Sequence, residues 1–247
     1  MQEKTQIIYG RHPVVDAIKS GATLDKLLLQ QGIRGEFEKE IRHLCREYDI
    51  PLQVVPKERI NRLVKGNPNH QGLVGMLSLI PYYKLEDVLP TIYERSEIPL
   101  IVLLDGITDV RNLGAIARSA ECCGAHALVI AHKGSAQINA EAIKSSAGAL
   151  TTLPVCREQS MTKAMSILAV AGIQVLAGSL KAEKLLHHLD LKVPLALVVG
   201  SEGDGISNAV AQDADELFKI PQKGITDSFN VSVAAGIMLY EVMQQRG

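Results

Sequence analysis

The sequence has almost no net charge, because 26 Lys+Arg face 27 Asp+Glu over 247 residues and leave −1. A strongly basic nucleic-acid sponge is thereby excluded, although a local basic surface is not. No apolar run approaches the ~20 residues that cross a bilayer, and MQEKTQIIYG lacks the charged and apolar regions of a signal peptide. The expectation is a soluble cytoplasmic protein with no membrane partner. Cys45, Cys122, Cys123 and Cys156 include no CxxC, so neither a zinc site nor a disulfide framework is suggested. They read as reduced packing residues. Adjacent His187 and His188 would point to different sides of a helix, so no metal pair is expected there.

What is present is ordinary globular composition, 47% hydrophobic and 21% charged, which argues against extensive disorder or a fibrous repeat. No repeat of fixed period and no low-complexity stretch is visible. At ~150 residues per domain the length suits one or two domains. Met1 to Ser78 carries 12 basic and 9 acidic residues, and the remainder 14 and 18, so the two parts are +3 and −4.

Residues 1–79 alternate short apolar runs (IIYG, LDKLLLQ, PLQVV, GLVGMLSL) with helical patterns near Pro13–Ser20, in EFEKEIRHLCREY and in KERINRLVK. This predicts a small α/β domain. Residues 80–98, rich in tyrosine, proline and charge, suit a linker containing a short helix. From residue 99 to 247 apolar strands alternate regularly with helices: IVLLDG, HALVIAH, TLPVC, IQVLAGS, LALVVG and ELFKIP. Strands of this kind predict a mainly parallel sheet covered on both faces.

Ligands in open α/β sheets bind beyond the carboxyl ends of strands, and three such loops are unusual here. In LDGITDVRNLGAIARSAECCGA, Asn112 can cap a helix and Gly114 allows close backbone approach. Leu113, Ile116, Ala117 and Ala120 share the buried face of that helix, with Arg118 roughly opposite. Periodicity makes Arg118 a solvated arginine unless a substrate or second subunit meets the outer side. In LALVVGSEGDGIS, Gly200, Gly203 and Gly205 permit either a tight turn with Ser207 as helix cap or a cradle for a ligand's polar atoms. This is neither a GxGxxG fingerprint nor a Walker loop. In IPQKGITDSFNVSVAAGIMLYE, Asn230 and Ser232 can cap the last helix, and Ala234, Ala235 and Gly236 permit close packing. Capping explains Asn230 alone, but three polar and glycine-rich loops at strand ends favour a common site.

NLGAIAR, VVGSEGDGIS and IPQKGITDSFNVSVAAGI, in that order and spacing, resemble the three motifs of the SpoU/TrmH ribose methyltransferases. Within that family, YGRHPVVDAI and NHQGLVG resemble the substrate-binding domain of the bacterial large-subunit rRNA guanosine-2′-O-methyltransferases. The resemblance implies a SPOUT fold with a C-terminal trefoil knot, S-adenosylmethionine in the knotted loops, and a homodimer whose site is completed across the interface. Periodicity could not show a knot, which runs against ordinary connection rules.

Residue by residue, the resemblance places Gly200, Ile220 and Phe229 at cofactor-contacting backbone positions, with Gly203 and Pro221 nearby. Asn112, Arg118, Glu202, Ser228 and Asn230 fall on its catalytic or motif polar positions. Phe229 stands where leucine is usual, leaving the backbone groups available but altering the pocket, and Val110 stands where proline is common. The implied reaction is in-line attack of a ribose 2′-hydroxyl on a sulfonium methyl group, with the protein orienting the partners. Arg118 is then the candidate for stabilising the developing alkoxide, either as general base or as a protonated hydrogen-bond donor. Asn112 and Asn230 would fix Arg118 or the ribose, Glu202 would orient the arginine or anchor a loop, and Ser228 would bond a phosphate or its own loop. Nothing implies a metal.

Arg11 and His12 follow the first strand of the N-terminal domain, and Asn69, His70 and Gln71 precede its last one. Both groups can lie on one loop surface and grip RNA, although each residue alone also reads as an ordinary loop residue. Lys57, Arg59, Arg62 and Lys65 add charge that a solvated helix face would equally explain. The leading expectation is methylation of a guanosine 2′-hydroxyl in 23S rRNA. A tRNA ribose methyltransferase and a non-catalytic RNA-binding protein of the same fold are the alternatives.

Overall fold

The consecutive leucines of LDKLLLQ bury both faces of the strand they form, and the first unit is built around that strand. The computed structural model describes residues 6–65, 68–226 and 228–247. The first five residues, part of the leader reading, and Asp227 of the third loop lie outside them. The chain divides into two units, Met1–Pro81 and Tyr82–Gly247.

The first unit contains β1 (Ile7–Tyr9), α1 (Arg11–Lys19), β2 (Leu24–Gln30), α2 (Glu36–Glu47), β3 (Leu52–Val55), α3 (Lys57–Leu63) and β4 (Leu73–Leu77). Its sheet has the order β1-β4-β2-β3. Only the β2–β3 pair is parallel. Leu27 and Leu29 pack with Val14 and Ile18 of α1 and Ile41 and Leu44 of α2. Leu28, on the opposite face, packs with Ile60 of α3.

The second unit runs α4 (Leu85–Glu94), β5 (Leu100–Asp105), α5 (Val110–Cys122), β6 (Ala127–Ala131), α6 (Ala140–Ser145), β7 (Val155–Glu158), α7 (Met161–Val170), β8 (Gln174–Gly178), β9 (Lys184–Leu185), β10 (Leu195–Gly200), α8 (Asn208–Asp213), β11 (Glu216–Lys219) and α9 (Val231–Arg246). Seven strands form one sheet in the order β7-β6-β5-β10-β8-β11-β9. Every pairing within it is parallel, as the apolar runs predict. β5 and β10 lie side by side near its middle, and their apolar residues from Leu100 to Leu104 and from Leu195 to Val199 are buried. The short helix expected between β8 and β10 is instead β9 followed by a 3-10 turn at Leu186–His188. Among the described residues no helix is long and apolar enough to cross a membrane.

Residues 80–98 are not simply a linker. Tyr83 bridges to Cys156 and extends the β7 edge, and the Leu85 N–H donates to Glu158 Oε1 at 2.9 Å. Leu85, Val88, Leu89 and Ile92, at i, i+3, i+4 and i+7, bury one face of α4 in the second unit's core. Pro90 lies within α4. Prolines suggested a connection, but the apolar stripe decided the packing.

The end of α9 is held by one side chain. Arg246 donates from Nε to the Leu191 carbonyl (3.0 Å), from Nη1 to Ile98 (2.8 Å), and from Nη2 to Pro99 (3.0 Å) and Val193 (2.7 Å). These carbonyls precede β5 and β10, so one planar fork ties the last helix to the starts of both central strands. Burial lowers its pKa from the ordinary arginine value. Replacing Arg246 by Ala should cost about 2–4 kcal/mol and lower Tm by roughly 5–15 °C, with Lys restoring little because it lacks the fork. Calorimetric melting checks this, and an unchanged Tm would refute it.

The four thiols are free. Burial pushes Cys45 up to about 11 and Cys156 up to about 12, whereas Cys122 is exposed. At pH 8 a thiol reagent should modify Cys122 first and reach Cys45 and Cys156 only on unfolding, as peptide mapping of the labelled sites would show.

Candidate functional site

The sheet order reverses direction between β5 and β10: β6 and β7 continue to one side, while β8 and β11 lie on the other. Such a switch opens a crevice beyond the carboxyl ends of the strands. Asp105 ends β5, and its Oδ2 accepts from the Ser207 N–H at 2.6 Å, pinning the loop that follows β10. That loop closes on itself: the Ser201 N–H donates to the Gly205 carbonyl at 2.9 Å, and the Gly205 N–H to the Ser201 carbonyl at 3.1 Å. A methyl group at Gly200 would overlap the backbone of Gly205 and Ile206, and Gly203 and Gly205 have φ of +93° and +70°. The glycines therefore make the tight turn, and the same turn walls a cleft.

The cleft has a volume of about 380 Å³. Gly200, Glu202 and Gly203 line it from the β10 loop, and Ile220, Ser228 and Phe229 from the segment after β11. Val199, Leu217, Phe218 and Met238 give it apolar walls. Pro221, expected beside them, is exposed and does not line the cleft. Phe229 is 39% exposed, so its larger ring stands at the mouth without filling the space.

Three of the expected polar residues meet. The Glu202 carboxylate accepts at Oε1 from Asn112 Nδ2 (3.2 Å) and Asn230 Nδ2 (2.5 Å), and Asn230 Nδ2 also donates to Asn112 Oδ1 (3.3 Å). Asn230 remains a helix cap, because its Oδ1 accepts from Ser232 N at 3.0 Å and Ser232 Oγ at 2.6 Å. Asn112 is not one. Asp109 caps α5, accepting at Oδ1 from the N–H groups of Arg111 (2.8 Å) and Asn112 (2.9 Å). The helix begins two residues before Asn112, which frees that amide to face Glu202. Gly114 does provide close approach: an added methyl would lie 2.6 Å from the Ala142 carbonyl oxygen on α6.

Arg118 does not join this cluster. It is exposed, opposite the buried Leu113, Ile116, Ala117 and Ala120, and makes no hydrogen bond or ion pair with a described residue. Six residues after Asn112, it is turned about 120° around the helix from it.

In the first unit, the two loop groups come together. Gln71 Oε1 accepts from the Arg11 N–H at 2.9 Å, and Arg11, His12, Asn69 and Gln71 are all exposed. His70 is different and corrects the expectation of an RNA contact. It is 4% exposed, its Nδ1 accepts from the Gly72 N–H (2.9 Å), and its Nε2 pairs with Asn61 Oδ1 (2.9 Å). Bonded at both ring nitrogens to its own unit, His70 holds the loop from inside.

The segment after β8, with Ser179, Leu180 and Lys181, also lines the cleft and was missed. It was signalled only by its place after an apolar strand, since AGSLK contains no unusual polar cluster.

Residues 99–240 match the SpoU rRNA Methylase family, and residues 7–83 match the RNA 2′-O ribose methyltransferase substrate binding family. A Bacillus subtilis protein, YacO, named as a TrmH family tRNA/rRNA methyltransferase, is 32% identical over 247 residues, covering 100% of this chain and 98% of its own. The SpoU methyltransferase AviRb of Streptomyces viridochromogenes, solved with AdoMet, has a TM-score of 0.62 at 26% identity, with 97% of this chain and 90% of that one covered. An AdoMet-bound rRNA methyltransferase from Sinorhizobium meliloti has a TM-score of 0.60 at 26% identity, covering 96% and 86%.

The Asp105 contact is the loop's link to β5. Asp105→Ala should accelerate amide exchange at Ser207 and its neighbours by roughly 10- to 100-fold, the worth of one charged hydrogen bond, while the strands stay protected. Exchange measured by mass spectrometry checks this, and unchanged protection would show that the turn holds itself.

Proposed function

Because the chain belongs to the SpoU/TrmH family of RNA methyltransferases, we propose that it transfers a methyl group from S-adenosylmethionine to the ribose 2′-hydroxyl of a guanosine in 23S rRNA. The observation that carries this reading is the cleft with Glu202, Asn112 and Asn230 joined beside it. Its volume of about 380 Å³ lies in the range of small-molecule sites. Val199, Leu217, Phe218 and Met238 suit the apolar faces of a nucleoside and thioether-like chain, and Ser179, Lys181 and Ser228 offer polar partners. The residues therefore fit the cofactor. In this reading Gly200, Ile220 and Phe229 hold it through backbone groups.

The bound sulfonium supplies an activated methyl group. The protein's part is to align the ribose and stabilise charge on the 2′-oxygen as its proton departs to a water or relay, the methyl passing to that oxygen and the neutral thioether leaving. An arginine stays protonated under ordinary conditions, so Arg118 acts here by donating hydrogen bonds to that oxygen. It faces away from its own Asn112, and the proposal therefore includes a homodimer in which Arg118 of one subunit serves the cleft of the other. The knotted threading of the C-terminal segment belongs to the same proposal. Glu202 orients the two asparagines, which in turn position the ribose or the incoming arginine.

The substrate-binding match at residues 7–83 supports an RNA recognised beyond the target nucleotide. Labelled methyl transfer to unmodified 23S rRNA and to tRNA, followed by nucleoside analysis, tests the reading. Label in 2′-O-methylguanosine of 23S rRNA is expected. Label only in tRNA would overturn the substrate, and RNA binding without cofactor binding or transfer would make the chain a scaffold. Arg118→Ala should cut turnover by 10²-fold or more with cofactor affinity within about twofold, since the cofactor's own loops are untouched. Unchanged turnover would remove Arg118 from the chemistry.

A further inference from the structure

The first unit carries a side-chain arrangement that the methyl-transfer chemistry does not use. The Arg11 guanidinium lies over the Phe37 ring, with Cζ 4.0 Å from the ring centroid. Phe37 is half-buried and packs against the cluster formed by α1, α2 and β2, so it is a fixed base for the stack. Arg11 itself is exposed at the first position of α1, and its backbone N–H is held by Gln71.

Carboxylates flank Phe37, yet neither takes Arg11. Glu36 pairs with Lys39 at 3.0 Å and Glu38 with Arg42 at 2.9 Å, both within α2. Arg11 has no ion-pair partner among the described residues. The result is a guanidinium over an aromatic ring, without an ion pair among the described residues, on a residue whose backbone N–H is held by the side-chain amide of an exposed glutamine. Gln71 uses its oxygen on the Arg11 backbone N–H, which leaves its NH₂ as a donor held close to the Arg11 backbone.

A guanidinium plane backed by an aromatic is a surface on which an unpaired base can stack, and the adjacent amide can donate to a carbonyl or ring nitrogen on that base's edge. A phosphate would need only the charge; it would not require the ring beneath. We propose that Arg11 and Phe37 form a stacking platform for one unpaired nucleobase of the substrate RNA, with Gln71 bonding its edge. The inference rests on the proposed RNA substrate and adds the mode of recognition, one further residue, Phe37, and a base-edge role for Gln71.

The test uses the full chain and a stem-loop RNA with 2-aminopurine in its loop, alongside the same RNA made abasic at that position. The protein should quench the fluorophore and bind the abasic RNA about tenfold more weakly. Arg11→Lys keeps the charge but loses the plane, and Phe37→Leu keeps the core contact but loses the ring. Both should remove the quench and the preference for the intact base, and Arg11→Lys should leave the salt dependence unchanged. Quenching that persists in Arg11→Lys, equal losses on intact and abasic RNA, or no quenching by the parent protein would overturn the platform. S-adenosylmethionine binding by the same proteins separates the two ideas. Cofactor binding without base dependence sinks the platform alone, and base-dependent binding without cofactor binding sinks the methyltransferase reading alone.

Discussion

Glu202 is the point on which the candidate site depends. One carboxylate oxygen accepts amide protons from Asn112 on α5 and Asn230 at the start of α9. Three chain segments, the outer two 118 residues apart in sequence, are thereby held at one place by a charge and two neutral donors. Each bond is charge-assisted and so stronger than an amide pair would be. Remove the carboxylate, and the two asparagines are joined only by the 3.3 Å bond between them, Asn230 keeping its cap contacts with Ser232.

The scaffold makes this meeting possible without strain in the sheet. β5 and β10 are neighbours in register, Gly200 opposite Asp105, so their two loops leave the sheet side by side. Asp105 then clasps the start of α8 through Ser207, and Gly200 lets the returning turn lie against the strand end. At the other end of the same strands, Arg246 gathers four carbonyls and fixes the far terminus of α9. The last helix is thus tied at both ends, by Asn230 at the cleft and by Arg246 beneath the sheet's starting edge, and this rigidity positions the segment that carries Ser228 and Phe229.

Much of this was legible in the sequence. Continuous apolar runs such as LALVVG can only be buried on both faces, and they gave a parallel sheet whose strand-end loops included Glu202, Asn112 and Asn230. Helix capping was read correctly at Ser207 and Asn230 and wrongly at Asn112, because Asp109 starts the helix three residues earlier and accepts from the N–H groups of Arg111 and of Asn112 itself. The packing of α4 was obscured by Pro90, which the helix tolerates, and the fate of His70 by the absence of any local sign that its loop folds inward. Arg118 illustrates the limit most directly. Its place on the outer face of α5 follows from periodicity, but whether that face meets water or a second chain is a property of the assembly and leaves no trace in a single helix.

The central claim is that one subunit's cluster around Glu202 and another subunit's Arg118 make one active site. Mixing Arg118→Ala and Glu202→Ala proteins under conditions that exchange subunits, then measuring methyl transfer to 23S rRNA, addresses it directly. Each variant alone should be nearly inactive, and the mixture should recover activity because half of the mixed dimer's sites carry both intact groups. A mixture no more active than its parents, with mixed dimers demonstrably formed, would place Arg118 and Glu202 in the same subunit's site or outside the chemistry altogether.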